Sequence, residues 1–120
     1  MGKKDVFQQE TRFAIDPGIL GQGTTFTVPA EKRLVIEQVG AAANLPSGQK
    51  LHYYIVSTTV QGALANYFFD PANNPKFSST HHVRIYADPN TQVELFADRD
   101  QPQGRADIFI SVSGYLVEPS

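Results

Sequence analysis

Three histidines are the residues of this sequence best suited to metal binding or proton transfer. His81 and His82 are adjacent in the chain, and His52 lies in a separate apolar segment. On a β-strand, adjacent side chains point to opposite faces, so His81 and His82 cannot hold one metal ion together without a bulge. Their spacing matches no common set of metal ligands. We therefore expect structural or surface roles for the histidines, with no metal and no cofactor.

A cluster of carboxylates near the C-terminus is the second candidate for ion binding. Asp98 and Asp100 flank Arg99, and Asp107 follows after a short turn. Carboxylates two residues apart share one face of a strand, as they do in calcium-binding loops. The further oxygen ligands that calcium requires are missing at the expected spacing. We therefore interpret the cluster as a solvated charged loop in which Arg99 and Arg105 neutralise the aspartates.

Aromatic residues next to polar donors form the third candidate set. Exposed rings beside amide, guanidinium and imidazole groups are typical of sugar-binding sites. Two groups have this composition: one is Tyr86 with His82 and Arg84, and the other is Tyr67 with Asn66 and Asn73. We predict ligand binding, for example to a carbohydrate, at His82, Arg84, Tyr86, Tyr67 and Asn73. Ordinary packing is the alternative role for each of these residues taken singly.

Catalytic motifs are missing from the sequence. There is no nucleophile elbow, phosphate-binding loop or dinucleotide fingerprint. Ser111 and Ser113 have no histidine nearby in sequence, and the glutamates form no visible acid–base pair. The sequence therefore predicts no catalytic residues and a protein that is not an enzyme. Only the folded chain can show whether residues distant in sequence meet in a site.

Length and composition indicate one globular domain. The chain has 120 residues, of which 41% are hydrophobic, and this is enough to bury a core. The net charge is −2 and the basic residues are scattered, so we expect no nucleic-acid partner. Cysteine is absent, which excludes disulfides, thiolate metal sites and thiol catalysis.

Neither a membrane span nor a secretory signal is visible in the sequence. No apolar stretch approaches the length needed to cross a bilayer, so we expect no membrane partner. Lys3 and Lys4 are followed by Asp5 rather than by an apolar segment, which argues against a secretory signal. The compartment stays open between the cytoplasm and secretion after removal of a signal.

Strand signals dominate the chain, and helix signals are nearly absent. Turn clusters such as Asp16-Pro17-Gly18 and Asp88-Pro89-Asn90-Thr91 separate the strands, and the second cluster predicts a type I turn. Many short strands without helices predict an all-β fold: a single-domain antiparallel β-sandwich of the jelly-roll type. Residues 1–10 lack a clear pattern and are a candidate N-terminal arm. The eight predicted strands are Thr11–Ile15, Thr24–Val28, Arg33–Ala43, Lys50–Val60, Leu64–Phe69, Phe77–Ala87, Gln92–Asp98 and Asp107–Val117.

Alternation along these strands separates an inner face from an outer face. The outer faces are not purely polar, since they carry Phe96, Phe109 and Tyr115. Exposed apolar surfaces of this kind usually mark interfaces. We therefore predict a homo-oligomer whose subunits meet through these three residues, with coverage by loops or by the arm as the alternative. The residues predicted to be buried between two sheets are Val83, Ile85, Val93, Leu95, Ile108, Ile110 and Leu116.

Two stretches, HHVRIYADPNTQVELFADRD and ISVSGYLVEP, resemble small uncharacterised bacterial β-sandwich proteins that share a YADPxT turn and a C-terminal SGYLV strand. The segment FTVPAEKRLVIEQV is similar to the same group, which implies a fold but no activity. The run Ser111–Pro119 is also similar to the final strand of the complement-head and tumour-necrosis-factor jelly rolls. That resemblance implies a trimer, but the calcium and receptor residues of those proteins have no counterparts here.

Three functions are compatible with these features. The first is a non-enzymatic, self-associating jelly-roll module that binds a glycan or another cell-surface ligand. The second is a structural subunit of a phage or virus-like particle. The third is a cupin-type metal-dependent enzyme, which the missing pattern of spaced histidines and a glutamate disfavours.

Overall fold

The computed structural model describes residues 5–70 and 76–119, with side chains left undescribed for residues 76–79. Among these residues there is no helix of the length and apolar character that a membrane crossing needs. Each predicted strand is present, with ends within a few residues of the prediction except at the start of the first. The strands are β1 (Asp5–Ile15), β2 (Gly21–Thr27), β3 (Arg33–Asn44), β4 (Leu51–Val60), β5 (Ala63–Phe69), β6 (Lys76–Ala87), β7 (Gln92–Arg99) and β8 (Ala106–Val117).

The eight strands form two four-stranded antiparallel sheets. Sheet A has the order β1-β8-β3-β6, and sheet B has the order β2-β7-β4-β5. The first strand therefore pairs with the last, the second with the seventh, the third with the sixth and the fourth with the fifth, alternating between sheets. This winding is that of a jelly roll, and it confirms the predicted all-β sandwich.

The core lies between the two sheets and is built by alternate residues of each strand. Ile85, Val93, Leu95, Ile108 and Ile110 are at most 2% exposed, as predicted. The other two predicted core residues, Val83 and Leu116, are partly buried and pack against this cluster. Burial of an aliphatic side chain stabilises a fold by about 1.5–3 kcal/mol, so this layer holds the sheets together.

Strand β1 is longer than the sequence indicates. It pairs with β8 along its whole length, from Asp5 opposite Leu116 to Ile15 opposite Ala106. Residues 5–10 of the candidate arm are thus part of sheet A, and residues 1–4 lie outside the described residues. Polar Gln9 and Thr11 take inward, half-buried positions, which removes the apolar alternation that would have revealed the strand.

A bulge in β3 explains why position 114 is a glycine. The register of β3 shifts between Ile36 and Gln38 against both of its neighbours. A Cβ atom at Gly114 would overlap the carbonyl oxygen of Val35. Glycine is therefore required here because the bulged backbone approaches β8 too closely for any side chain.

The turn at Asp88-Pro89-Asn90-Thr91 differs from the predicted type. The Thr91 amide lies 3.4 Å from the Asp88 carbonyl oxygen, which closes the turn. Asn90 has a φ of 65°, and a positive φ at the third position makes this a type II turn rather than type I. Asparagine tolerates the left-handed region better than most residues, so the sequence allowed both types.

Arg99 has a different role from the one predicted. Its side chain is fully buried, and its guanidinium group donates hydrogen bonds of 2.7–3.2 Å to the β1–β2, β3–β4 and β7–β8 loops. Its planar donors match a ring of carbonyl oxygens, which is why arginine suits this position. Arg99 therefore ties loops together instead of neutralising aspartates. The acceptors are the carbonyls of Asp16, Ile19, Pro102, Gln103 and Gly104 and the side chain of Gln49.

Candidate interaction surface at the β5 edge

Strand β5 is one of the two edge strands of sheet B. It leaves β4 through a two-residue turn in which Gln61 and Gly62 have φ values of 51° and 78°. Two positive φ values define a type I′ turn, which matches the twist of a tight hairpin. The pairing then runs without a shift from Val60 opposite Ala63 to Tyr54 opposite Phe69. No described strand pairs with the other side of β5.

Almost all of β5 is exposed. Only Phe69 is buried, where it stacks on Tyr54 with ring centroids 5.2 Å apart. His81 of β6 closes the core beside these two rings, at 5.1 Å from Phe69. Beyond this point Tyr67 is 37% exposed, although alternation places it on the inner face. The sandwich is therefore open along the first six residues of β5.

The outer face of β5 continues an apolar row across sheet B. Phe96, Ile55 and Phe68 are neighbours in register on β7, β4 and β5. Phe68 is 65% exposed, and Tyr53 packs beside it with ring centroids 5.7 Å apart. Leu64, also on this face, is 56% exposed. We call Tyr53, Ile55, Leu64, Phe68 and Phe96 the apolar row.

The sequence of β5 lacks the residues that usually protect an edge strand. Segment Ala63–Phe69 contains no charged residue and no proline. Natural proteins generally protect sheet edges with lysine, proline, bulges or covering loops, because an unpaired edge is a template for another strand. An uncharged, apolar edge is thus a surface suited to pairing.

A shallow groove of about 460 Å³ runs between β5 and β6. It brings together two of the predicted ligand-binding residues, Tyr67 and Arg84, with Asn66 beside them and Val83 and Ile85 at its base. Asn73, predicted to join Tyr67, lies outside the described residues. The groove is therefore a mixed surface of one cation, one phenol and an apolar base.

The other predicted ligand-binding residues lie on sheet A. His82 borders a depression of about 530 Å³ with Gln8, Gln38 and Ser113. Tyr86 is 41% exposed and lies opposite Val35 on the same outer face. His82, Arg84 and Tyr86, predicted as one group, are thus exposed at alternate positions of β6, whereas Tyr67 of the other predicted group lies on β5 in the other sheet.

The three aromatic residues predicted as one interface also separate. Phe96 lies on the outer face of sheet B, whereas Phe109 and Tyr115 lie on the outer face of sheet A. Phe109 is partly covered by Arg12, whose guanidinium carbon is 5.2 Å from the ring centroid. Phe96 is half-buried and contacts Gly21, where a Cβ atom would collide with its ring. Alternation showed that these side chains point away from the core, but not that the two strands belong to different sheets.

Several charged groups near the chain's loops form local pairs. His52 Nδ1 is 3.2 Å from Asp98 Oδ2 on the exposed face of sheet B, and Arg105 pairs with Asp107 at 3.1 Å, as predicted. Asp100 accepts a hydrogen bond of 2.8 Å from the Lys50 amide. In the described part of the chain, no three His, Cys, Asp or Glu side chains gather as metal ligands would.

One pKa shift is resolved at the sandwich surface. A hydrogen bond of 3.1 Å to Glu118 raises the pKa of Lys32, and Asp5 at 3.5 Å contributes in the same direction. Lys32 is half-buried, so the raised pKa reflects a surface ion pair that links the residue before β3 to Asp5 and Glu118 rather than a reactive group.

Comparisons with known proteins leave the function to be inferred from this chain's own surface. No protein-family model matches the sequence, and no curated protein matches it significantly. Among solved structures, the chain is similar to the decameric BFDV capsid protein, at 8% sequence identity and a TM-score of 0.45 over 100% of both chains. At this level the likeness provides no correspondence between residues.

Proposed function

We propose that this chain is a non-enzymatic structural subunit that self-associates through β5 and the apolar row. The observation that carries the proposal is the exposure of β5, an uncharged edge strand with Leu64, Tyr67 and Phe68 in solvent. Leaving large apolar side chains exposed is unfavourable, and contiguous patches of them usually mark interfaces. An edge strand adds unpaired backbone donors and acceptors to that patch.

The placement of the histidines supports a role without catalysis. His52 is paired with Asp98 on an exposed sheet face, the ring of His81 lies against Tyr54 and Phe69, and His82 borders a depression on the other sheet. General acid–base or metal chemistry needs such groups to converge on one site. In this fold they lie in separate environments.

Light scattering coupled to size exclusion tests self-association. The protein should elute at a multiple of 13.2 kDa at high micromolar concentration. Phe68→Ser should shift the population towards the monomer, because it removes an exposed ring of the apolar row. Leu20→Ser is the matched control, since Leu20 is 45% exposed but precedes β2 at the far edge of sheet B. A wild-type mass near that of one chain at all concentrations would contradict the proposal.

The form of the assembly separates two versions of this function. Closed dimers or trimers would indicate a self-associating module, and the trimer implied by the complement-head resemblance stays one prediction of this kind. Extended shells or tubes would indicate the subunit of a particle. Negative-stain electron microscopy of concentrated protein distinguishes these outcomes.

Glycan binding is the second candidate function, favoured by the depression on sheet A. Its lining includes Gln8, Gln38, His82 and Ser113, which supply hydrogen-bond donors and acceptors, and Tyr86 lies exposed on the same face. Sugar sites combine such polar groups with an aromatic surface. A glycan array should then show binding that His82→Ala weakens and that Phe68→Ser leaves unchanged. An array without signal would remove this candidate and leave self-association untouched.

A further inference from the structure

We propose that β5 pairs with β5 of a second copy of this chain, antiparallel, about a two-fold axis between the two Asn66 residues. The two copies of sheet B would then form one continuous eight-stranded sheet. This inference rests on the proposed self-association and adds its partner strand, symmetry and register.

The backbone of β5 presents a matched set of free groups for this pairing. A two-residue hairpin turn is closed by a hydrogen-bonded pair, here Val60 and Ala63. Hydrogen-bonded and non-hydrogen-bonded pairs alternate along an antiparallel ladder. Leu64, Asn66 and Phe68 therefore direct their N–H and C=O groups away from β4, towards the open edge.

One register satisfies all of these groups. In an antiparallel pair about a two-fold axis, residues equally far before and after the central residue face each other. An axis at Asn66 pairs Asn66 with its own copy and Leu64 with the partner subunit's Phe68. All three outward-directed residues then exchange hydrogen bonds, and the whole of Ala63–Phe69 is paired. An axis moved by one residue leaves Leu64 or Phe68 facing a residue outside the strand.

The side chains of β5 are complementary in size in the same register. The larger residues follow Asn66 and the smaller ones precede it. Tyr67 would face the partner subunit's Ala65, and Phe68 would face the partner subunit's Leu64. Cross-strand pairs of an aromatic and an aliphatic residue stabilise sheets, and a large residue opposite a small one avoids collision. The absence of charge in the strand means that no like charges meet at the axis.

The pairing would also extend the apolar row. Phe68 ends the row formed by Phe96 and Ile55 on this copy. Beside the partner's β5, the row continues into the partner's sheet B and becomes a surface shared by two chains. Closed two-fold symmetry is the commonest way in which identical chains meet.

Single cysteines test the register, because the chain has no cysteine of its own. Residues of a hydrogen-bonded antiparallel pair have Cα atoms about 5.5 Å apart, within the range of a disulfide. Asn66→Cys should therefore crosslink to a dimer under mild oxidation. Leu64→Cys is the matched control, because its two copies would lie about 13 Å apart along the strands. We expect at least tenfold faster crosslinking of Asn66→Cys, and efficient mixed crosslinking of Leu64→Cys with Phe68→Cys.

Charge exchange tests the same register without oxidation. Leu64→Lys and Phe68→Glu should each weaken the dimer at least tenfold, measured by analytical ultracentrifugation. The double variant should recover affinity, because each new lysine then faces a new glutamate across the axis. Thermal unfolding of every variant checks that the hairpin still folds.

The outcomes separate this inference from the proposed function. If the wild-type protein self-associates but Asn66→Cys crosslinks no faster than Leu64→Cys, the edge pairing is wrong and self-association stands. If the double charge variant is weaker than both single variants, the register is overturned. If the wild-type protein is monomeric at all concentrations, both the pairing and the proposed function fail.

Discussion

Strands β2 and β5 are the two edges of the same sheet, and they are completed in different ways. The inward ring of Phe26 on β2 stacks on Phe7 of β1, with centroids 5.8 Å apart, so the two sheets meet at that side. The outer positions of β2 are glycine and threonine. On β5 the inward Tyr67 and the outward Phe68 are both exposed. The inward ring of β2 is covered within the chain, whereas the exposed rings of β5 have the composition of a surface that is covered by a partner.

Arg99 holds three of the loops that connect the strands of the two sheets, and its loss should have the largest effect. Arg99→Ala leaves several partly buried carbonyl oxygens without their donor, and a buried polar group left unsatisfied costs about 1–3 kcal/mol. We expect the free energy of unfolding to fall by about 4 kcal/mol in a urea titration. Arg105→Ala, an exposed arginine six residues later, should change it by less than about 0.5 kcal/mol. Equal effects of the two substitutions would contradict the buried role of Arg99.

The core shared by the two edges should be the next most sensitive region. Leu95 is 1% exposed between the sheets, on the strand that pairs with both β2 and β4. Leu95→Ala should lower the free energy of unfolding by about 2–5 kcal/mol, because it removes buried methyl groups and leaves a cavity. A loss below about 0.5 kcal/mol in urea would show that the strand faces are assigned wrongly.

Substitutions of Phe7 and Phe68 compare the β2 edge with the β5 edge. Phe7→Ala should destabilise the monomer by about 1–2 kcal/mol, since it removes the partly buried ring that packs on Phe26. Phe68→Ala should cost the monomer less than about 0.5 kcal/mol, because Phe68 is mostly exposed. In the oligomer the order should reverse, with Phe68→Ala weakening association more. Urea titrations at protein concentrations below and above the one at which the chains associate measure both effects.

Lysine at each edge gives the sharpest comparison of association. Asn66→Lys places like charges face to face in the proposed pair and should weaken association about tenfold, or about 1.4 kcal/mol. Thr25→Lys places the same charge on the exposed face of β2, beside Glu94, and should leave association unchanged. Analytical ultracentrifugation at equal concentrations compares the association of the two variants. Equal weakening of association by both substitutions would contradict pairing through β5.

Strand signals were strong wherever one face of the strand is apolar. The period-2 spacing of Val93 and Leu95, and of Ile108 and Ile110, predicted both the strands and their buried faces. The pattern was incomplete in β1, where Gln9 and Thr11 occupy inward positions near the sheet edge. Alternation along each strand predicts that Phe96 and Phe109 point outward, but it does not show that they lie on different sheets.

The sequence by itself determined most of the strands, their inner faces and the positions of the turns, because these depend on local periodicity, on proline and glycine, and on the burial of alternate apolar residues. The tertiary structure alone decided which strands became edges, since pairing joins segments distant in the chain. It also decided the burial of Arg99, because the backbone and side-chain oxygens that accept its hydrogen bonds come from three separate loops. The exposed surface of β5 follows from the same cause: its sequence is that of a buried strand, and only its position beside β4 at the end of sheet B leaves it open.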